Sequence, residues 1–319
     1  AARSNGKPPE GETMNLQKKW LIILAGTVII GSMFAEKIIS FYFDWIWFNS
    51  HEVGSVFWTV VFSQWGFGLG CGVLFFAFTC VPLKRTHDRT AHIPVLLSDQ
   101  IRQELPLIDL MAANLKNLLF IGPLVLALMT GLVISQKWDT LQLFLEAVPF
   151  GNADPIFGND YSFYLFTLPL LNLGKSVLWE ILIVLAIGFG LIFFFKRFVY
   201  VGPTGVVLQA EARRPLSLLA AYFFILLAIE FHLQRFTLLS GGNGVVAGIG
   251  YASYHGQLPI LNGMSILSLL GAGLSFFIAT GRGMKKVALA LAGIGLIYFV
   301  SGFYPKLLQK FIVEPNELI

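Results

Sequence analysis

The sequence is short of charged residues. Only 13% of its 319 residues are Asp, Glu, Lys or Arg, whereas soluble globular domains contain about 25%. Hydrophobic residues make up 56% of the chain. So few charges cannot cover a water-exposed surface of this size without leaving wide apolar patches. The composition therefore excludes an ordinary water-soluble enzyme and indicates that much of the surface faces lipid.

Cysteine is nearly absent. Cys71 and Cys80 are the two cysteines of the chain, nine residues apart in one apolar stretch. On a helix, residues at this spacing point to opposite faces and cannot form a disulfide. The sequence also lacks a CxxC pair, so neither a disulfide framework nor a cysteine metal site is predicted.

Catalytic and cofactor motifs are missing as well. The five histidines show no HxxxH or HExxH spacing, and no GxSxG sequence is present. Residues 241–250, GGNGVVAGIG, imitate a dinucleotide fingerprint but lie between two apolar stretches instead of between a strand and a helix. We expect no catalytic residue, no cofactor and no nucleic-acid partner, and the sequence favours a role other than catalysis.

Seven stretches are long and apolar enough to cross a bilayer, which takes roughly 20 residues. The predicted fold class is all-α, a polytopic membrane bundle of seven transmembrane helices with short interfacial helices. The spans are predicted at residues 20–41, 56–83, 118–134, 176–195, 216–236, 258–279 and 287–303.

The loops between these spans differ in charge. Lys and Arg are enriched in loops that stay in the cytoplasm. With the N-terminus inside, the inner segments hold 16 of the 22 basic residues but only seven of the 18 acidic ones. The net charge of +4 then divides into about +9 inside and about −5 outside. The charges thus predict a cytoplasmic N-terminus and an extracytoplasmic C-terminus in a bacterial inner membrane.

Two apolar segments are too short to cross. Residues 161–173, YSFYLFTLPLLNL, contain Pro169 and Asn172 and are predicted to form a short aromatic helix in the outer interface. Residues 105–117 mix apolar and polar side chains and predict an interfacial helix that leads into the third span.

The ends of the chain define the predicted domain boundaries. Residues 1–13 are polar, precede Met14, and are interpreted as a disordered leader or as sequence added ahead of the natural start. Residues 14–303 form the transmembrane domain. Residues 304–319 are interpreted as the beginning of an extracytoplasmic region that continues in the natural protein.

Ionisable residues inside a membrane cost roughly 2.5 to 3.5 kcal/mol and are the first candidates for function. Glu230, His232 and Arg235 lie near the outer end of the fifth span, and Glu36 near that of the first. One hypothesis is that Glu230 handles protons or cations, with Gln234 on the same helix face. The other is a structural ion pair of Glu36 or Glu230 with Arg235.

A second candidate lies in the outer loop between spans three and four, where Asp154, Gly158 and Asp160 occur within seven residues. An Asp-Pro pair followed by Gly-Asn-Asp is typical of a turn, because proline fixes φ and glycine allows a positive φ. Cation binding by these acids is the alternative, although the spacing differs from that of a calcium loop.

Glycines are plentiful inside the spans. Residues 66–72, GFGLGCG, have the small-xxx-small spacing that allows helices to approach closely. Gly271 with Gly273, and Gly293 with Gly295, are further glycine pairs in the sixth and seventh predicted spans. Close helix contact is the main interpretation, and a permeation path along a glycine-thinned helix is the alternative.

Four stretches resemble a known family. They are DWIWF at 44–48, VFWTVVFSQ at 56–64, DPIFGNDYSFYLFTLPLL at 154–171 and QKFIVEPNELI at 309–319. These are similar to signature stretches of uncharacterised protein family 0182, bacterial multi-pass membrane proteins. The resemblance implies seven N-terminal spans followed by a large extracytoplasmic region, and it implies no activity.

We therefore expect a membrane anchor or scaffold for an extracytoplasmic domain, with the lipid bilayer and envelope proteins or lipids as partners. The alternative is a transporter or lipid-handling protein that uses the polar cluster at the outer ends of spans one and five.

Overall fold

A computed structural model describes residues 10–94, 106–202, 205–240, 249–251, 253–280, 284–303, 307 and 310–311. The glycine-rich sequence at 241–248 and most of residues 304–319 lie outside this described part. The chain forms two compact units, Ala1–Phe62 and Ser63–Ile319. Both are helical.

Nine α-helices and two short strands are present in the described part of the chain. They are α1 (Glu10–Ser50), α2 (Gly54–Arg89), α3 (Pro106–Ala113), α4 (Leu115–Ser135), α5 (Trp138–Leu145), α6 (Leu168–Phe195), β1 (Val199–Gly202), β2 (Gly205–Leu208), α7 (Ala210–Ser240), α8 (Leu258–Thr280) and α9 (Met284–Ser301). Single π-helical turns, Phe163–Thr167 and Ser253–Gln257, precede α6 and α8. The helix α1 begins four residues before the domain boundary predicted at Met14.

In the first unit, α1 and the beginning of α2 form a helical hairpin. Phe57 on α2 is buried, and its ring lies 5.1 Å from Phe41 and 5.8 Å from Phe48 on α1. Aromatic side chains at the tip of the hairpin thus hold these two helices together.

Five helices of the described chain are long and apolar enough to cross a membrane. They are Gly54–Arg89, Leu115–Ser135, Phe163–Phe195, Ala210–Leu239 and Ser253–Thr280. They contain the predicted spans two to six. The first and seventh predicted spans coincide with α1 and α9, which are not among the five, although Ala288–Phe299 is a shorter apolar helix.

The apolar surfaces of these five helices face outward. In each helix, only 28–39% of the most apolar segment is buried within the protein. Side chains such as Phe62, Leu128 and Ile266 are more than 60% exposed. Apolar side chains exposed on this scale indicate a lipid environment. The chain is thus a helical protein with several helices suited to membrane association.

The prediction of a separate aromatic helix at 161–173 is wrong. This segment runs into α6 without a break, and Phe163–Phe195 is one of the five long helices. Pro169 has no N–H to donate within a helix. A π turn lies directly before it, in which the Leu168 N–H donates to the Phe163 carbonyl five residues back. The wider turn lets the helix pass the proline.

The connections also contain elements that the sequence did not predict. The short helix α5 lies in the loop between the third and fourth predicted spans. Between α6 and α7, β1 and β2 pair in antiparallel fashion with Val199 opposite Leu208. The predicted helix at 105–117 is present as α3, which ends at Ala113 just before α4 begins.

Glycines bring α2 and α4 into backbone contact. A Cβ atom at Gly68 would lie 2.6 Å from the Gly131 carbonyl oxygen, and one at Gly72 would lie 3.0 Å from the Ala127 carbonyl oxygen. Gly66 and Gly70, on another face of α2, have nothing within 4 Å of the same position. Close helix contact, the main interpretation of 66–72, is therefore correct for Gly68 and Gly72.

The later glycine pairs behave differently. A Cβ atom at Gly271 on α8 would lie 2.7 Å from the Phe224 ring on α7, whereas Gly273, Gly293 and Gly295 have nothing nearby. The long α7–α8 interface also contains a hydrogen bond of 2.8 Å from the Ser217 hydroxyl to the Ser275 carbonyl. Only one glycine of these two pairs is therefore a helix contact.

A buried lysine joins the ends of α2 and α6. Lys196 follows α6, is 3% exposed, and donates to the Thr90 carbonyl and, at 3.0 Å, to the Thr90 hydroxyl. Burial lowers the pKa of Lys196. These bonds fix the helix ends around a core that includes Leu83, Ile192 and Phe198.

Candidate functional site

The polar cluster predicted at the fifth span contains a carboxylate bound from two helices. Glu230 on α7 accepts a hydrogen bond from the Lys175 ammonium at 2.9 Å and from the Trp179 indole N–H at 3.1 Å, both on α6. Gln234 donates to the same carboxylate at 3.2 Å. We call Lys175, Trp179, Glu230 and Gln234 the Glu230 network.

Helix periodicity explains why these four side chains lie close together. Lys175 and Trp179 are four residues apart on α6, and Glu230 and Gln234 are four apart on α7, so each pair lies on one face. The two faces meet, and the Lys175 and Glu230 side chains are only 16% and 22% exposed. Ion pairs held in a partly dehydrated position are screened less by salt than surface pairs.

Arg235 does not pair with Glu230, so the ion pair predicted between them is wrong. Its guanidinium donates to the side-chain amide oxygen Oδ1 of Asn262 on α8 at 3.2 Å and lies 3.0 Å from His232 Nε2. Since the guanidinium has only donors, His232 accepts through Nε2 and is neutral in this arrangement. The guanidinium carbon also lies 4.9 Å from the centre of the Phe236 ring.

Glu36 lies on α1 in the first unit, where its side chain is exposed. The other three members of the predicted cluster belong to the second unit. The membership of Glu36 in a cluster with Glu230 stays a prediction.

The outer loop folds around Asp154. Its side chain is 5% exposed and accepts hydrogen bonds from the backbone N–H groups of Ile156, Phe157 and Asn159, at 2.9, 2.6 and 2.9 Å. The Tyr164 hydroxyl adds a fourth at 2.8 Å. Burial alone would raise the pKa of Asp154, but these hydrogen bonds outweigh it and hold the pKa below its ordinary value.

Asp160 closes the same loop. Its carboxylate accepts from the backbone N–H groups of Phe150, Gly151 and Ser162 at 2.8–3.0 Å, which lowers its pKa to about 2. Gly158 has φ +70°, the positive value that the turn requires. Asp154 and Asp160 thus hold the backbone of a compact turn with their oxygens.

The loop packs directly against the end of α7. The Phe236 ring lies 5.0 Å from Phe157 and 5.1 Å from Phe163. Leu168 and Leu233 complete this small buried cluster. The Asp154 loop and the polar residues of α7 therefore form one contiguous region.

Sequence reasoning missed the partners on the fourth span. Lys175 and Trp179 were not among the predicted site residues, and neither was Glu180, whose carboxylate accepts from the Thr130 hydroxyl at 3.0 Å. The signal that could have found them is three polar side chains within six residues at the beginning of an apolar run. In the described residues, no group of three or more His, Cys, Asp or Glu side chains could hold a metal ion.

Comparison with known proteins identifies the family. The model of an uncharacterised protein family, UPF0182, matches residues 21–319. A UPF0182 protein of Geobacter sulfurreducens is 32% identical over 311 residues, covering 95% of this chain and 34% of its own length. One of Saccharopolyspora erythraea is 33% identical over 312 residues, covering 95% of this chain and 32% of its own length.

The chain spans about one third of the length of these relatives. No solved structure matches it. With nearly all of its residues matched by the family model, the chain belongs to the UPF0182 family.

Proposed function

We propose that this chain is the membrane-spanning module of a bacterial inner-membrane protein and acts as an anchor and scaffold for a large extracytoplasmic domain. In this proposal α1 and α9 cross the membrane together with the five long apolar helices. The N-terminus is cytoplasmic and the C-terminus is extracytoplasmic. The uneven distribution of Lys and Arg among the loops supports this orientation.

The observation that carries the scaffold role is the Glu230 network, in which side chains of two helices bind one carboxylate. Both carboxylate oxygens of Glu230 have donors, from Lys175 and Gln234 on one side and Trp179 on the other. A carboxylate whose two oxygens both accept from side chains of the protein stabilises helix contacts, whereas a carboxylate that binds a transported cation must leave oxygen lone pairs free for it. The length of the relatives, about three times the matched region, supports a further domain to be anchored.

The orientation is tested by cysteine labelling in the full chain, with Cys71→Ser and Cys80→Ser as background. Single cysteines are introduced in place of Ser4, His92, Asn152 and Leu307, and spheroplasts are treated with a membrane-impermeant maleimide. We expect labelling of Asn152→Cys and Leu307→Cys in intact spheroplasts, and of Ser4→Cys and His92→Cys only after permeabilisation. Leu307→Cys and His92→Cys on the same side would contradict the five crossings predicted between these two positions.

The alternative, a transporter or lipid-handling protein, is favoured by one observation. A groove of about 620 Å³ lies between α7, α8 and α9, and Gln234, Thr237, Gln257 and Tyr298 contribute to its wall. Gln234 also donates to Glu230, so the groove reaches the edge of the Glu230 network.

The reactivity of Glu230 separates the two functions. Dicyclohexylcarbodiimide modifies protonated carboxyl groups within membranes, and the modified residue is located by mass spectrometry. For a scaffold we expect Glu230 to stay unmodified, because its oxygens accept from Lys175, Trp179 and Gln234 and its side chain is only 22% exposed. Lys175→Met is the positive control, since it removes the donor at 2.9 Å and opens the carboxylate to the reagent. Modification of Glu230 in the unaltered protein would support the transporter instead.

A further inference from the structure

We propose that a pocket formed by the ends of α2 and α4 binds an anionic phospholipid through its phosphate headgroup. The pocket has a volume of about 430 Å³ and lies between the last turns of α2 and the first turns of α4. This volume is within the range of about 300–1,000 Å³ that is typical of small-molecule sites. It is distinct from the Glu230 network, with which it shares no residue.

The mouth of the pocket is basic. Lys84 and His87 of α2 and Lys116 of α4 line it, together with the Asn117 amide. Neither Lys84 nor Lys116 has an ion-pair partner among the residues that the structure describes. Two ammonium groups that line one cavity, neither of them in an ion pair, are suited to bind an anion such as phosphate.

One carboxylate, Asp88, also lines the pocket. Its side chain is 56% exposed and lies 3.5 Å from His87 Nδ1. Water therefore screens much of the Asp88 charge. With one carboxylate against two lysines, the mouth keeps a net positive charge.

The inner wall of the pocket is apolar, which points to a lipid instead of free phosphate. Cys80, Leu119, Phe120 and Ile121 form this wall, and Phe120 packs edge-on against Phe76 at 5.5 Å. Phe120 and Ile121 are about half exposed, so the wall continues into the outward apolar surface of α4. A ligand with a phosphate head and an acyl chain can contact both parts at once, whereas inorganic phosphate would leave the apolar wall empty.

The proposal rests on the proposed function in one respect: the predicted orientation places this pocket at the inner leaflet. Basic residues at this level attract anionic headgroups. Binding itself can be measured in detergent without reference to orientation, so the two proposals fail separately. Should labelling place His92 outside while the lipid still binds, the pocket would stand and the orientation would be wrong.

The test is titration of the purified full chain, in neutral detergent, with phosphatidylglycerol, phosphatidylcholine or inorganic phosphate, with bound lipid read by native mass spectrometry. We expect saturable binding of phosphatidylglycerol alone. The double variant Lys84→Gln with Lys116→Gln should bind it about 30-fold more weakly, in keeping with two lost lysine contacts near a headgroup.

The matched control is the double variant Arg85→Gln with Arg89→Gln. Both arginines are exposed at the same end of α2 and do not line the pocket. Their replacement removes two positive charges, as replacement of the two lysines does. We expect it to bind phosphatidylglycerol as the unaltered protein does. Equal weakening in the two double variants would overturn the proposal, because it would indicate attraction to net charge alone.

Two further results complete the test. The charge-preserving variant Lys84→Arg with Lys116→Arg should retain binding, and gel filtration shows whether each variant is folded. Equal binding of phosphatidylcholine, or displacement of the lipid by inorganic phosphate at equal concentration, would overturn the assignment to an anionic phospholipid.

Discussion

Replacing Gly68 with alanine is expected to destabilise the second unit by about 1–3 kcal/mol, the usual cost of overpacking a tight contact. The added methyl carbon would lie 2.6 Å from the Gly131 carbonyl oxygen and 2.7 Å from Ser135 Cβ. These are backbone or short side-chain atoms that cannot rotate away. The helices α2 and α4 must therefore move apart to admit it.

Gly70→Ala is the matched control, two residues further along the same helix. It has nothing within 4 Å of the new methyl carbon, and alanine favours a helix over glycine by up to about 1 kcal/mol. We therefore expect the two substitutions to change the free energy of unfolding in opposite directions. Denaturant titration in mild detergent, followed by tryptophan fluorescence, measures both. The same effect from both variants would contradict the α2–α4 contact.

Replacing Asp154 with alanine is expected to lower the free energy of unfolding by about 3 kcal/mol. Three backbone N–H groups and the Tyr164 hydroxyl lose their acceptor, and hydrogen bonds to a charged group contribute about 1.5–3 kcal/mol each before relaxation. Asp139→Ala is the control, because Asp139 is exposed and accepts only from its neighbour Thr140. Thermal unfolding and hydrogen exchange over residues 150–162 measure the difference.

The same loop should depend on pH in a defined direction. The folded-state pKa values of Asp154 and Asp160 are lowered, that of Asp160 to about 2. Their stabilisation is therefore complete above the unfolded-state pKa of about 3.9 and is lost as the pH falls through the lower folded-state values. Opening of the loop already near pH 6, detected as faster hydrogen exchange over residues 150–162, would argue against these hydrogen bonds. So would an unchanged rate of hydrogen exchange in Asp154→Ala.

Local sequence predicted most of the helical framework. The predicted spans two to six lie within five long apolar helices. Length and hydrophobicity are properties of one segment, so they can be read without knowing which helices pack together. The turn at Asp154–Asp160 was also predictable, since proline and a glycine of positive φ act within a few residues. The aromatic segment before α6 was not, because the π turn that lets a helix pass Pro169 has no simple pattern in sequence.

Contacts between distant residues were out of reach of the sequence. The sequence pointed to Glu230 as a candidate, but its partner Lys175 is 55 residues away on another helix. Residues 66–72 contain glycine at every second position, so two helix faces satisfied the same spacing. Only the rotation of α2 against α4 selected Gly68 and Gly72.

The sequence by itself indicated the surroundings of the helices. A charge content of 13% and long apolar runs favour lipid contact, because apolar area is a property of each segment separately. The tertiary structure alone decided how the scarce polar groups are paired: Glu230 with Lys175 and Trp179, and Arg235 with Asn262 and His232. Which side chains meet depends on the rotation and vertical position of two helices relative to each other. The sequence of one helix alone does not specify this relative placement.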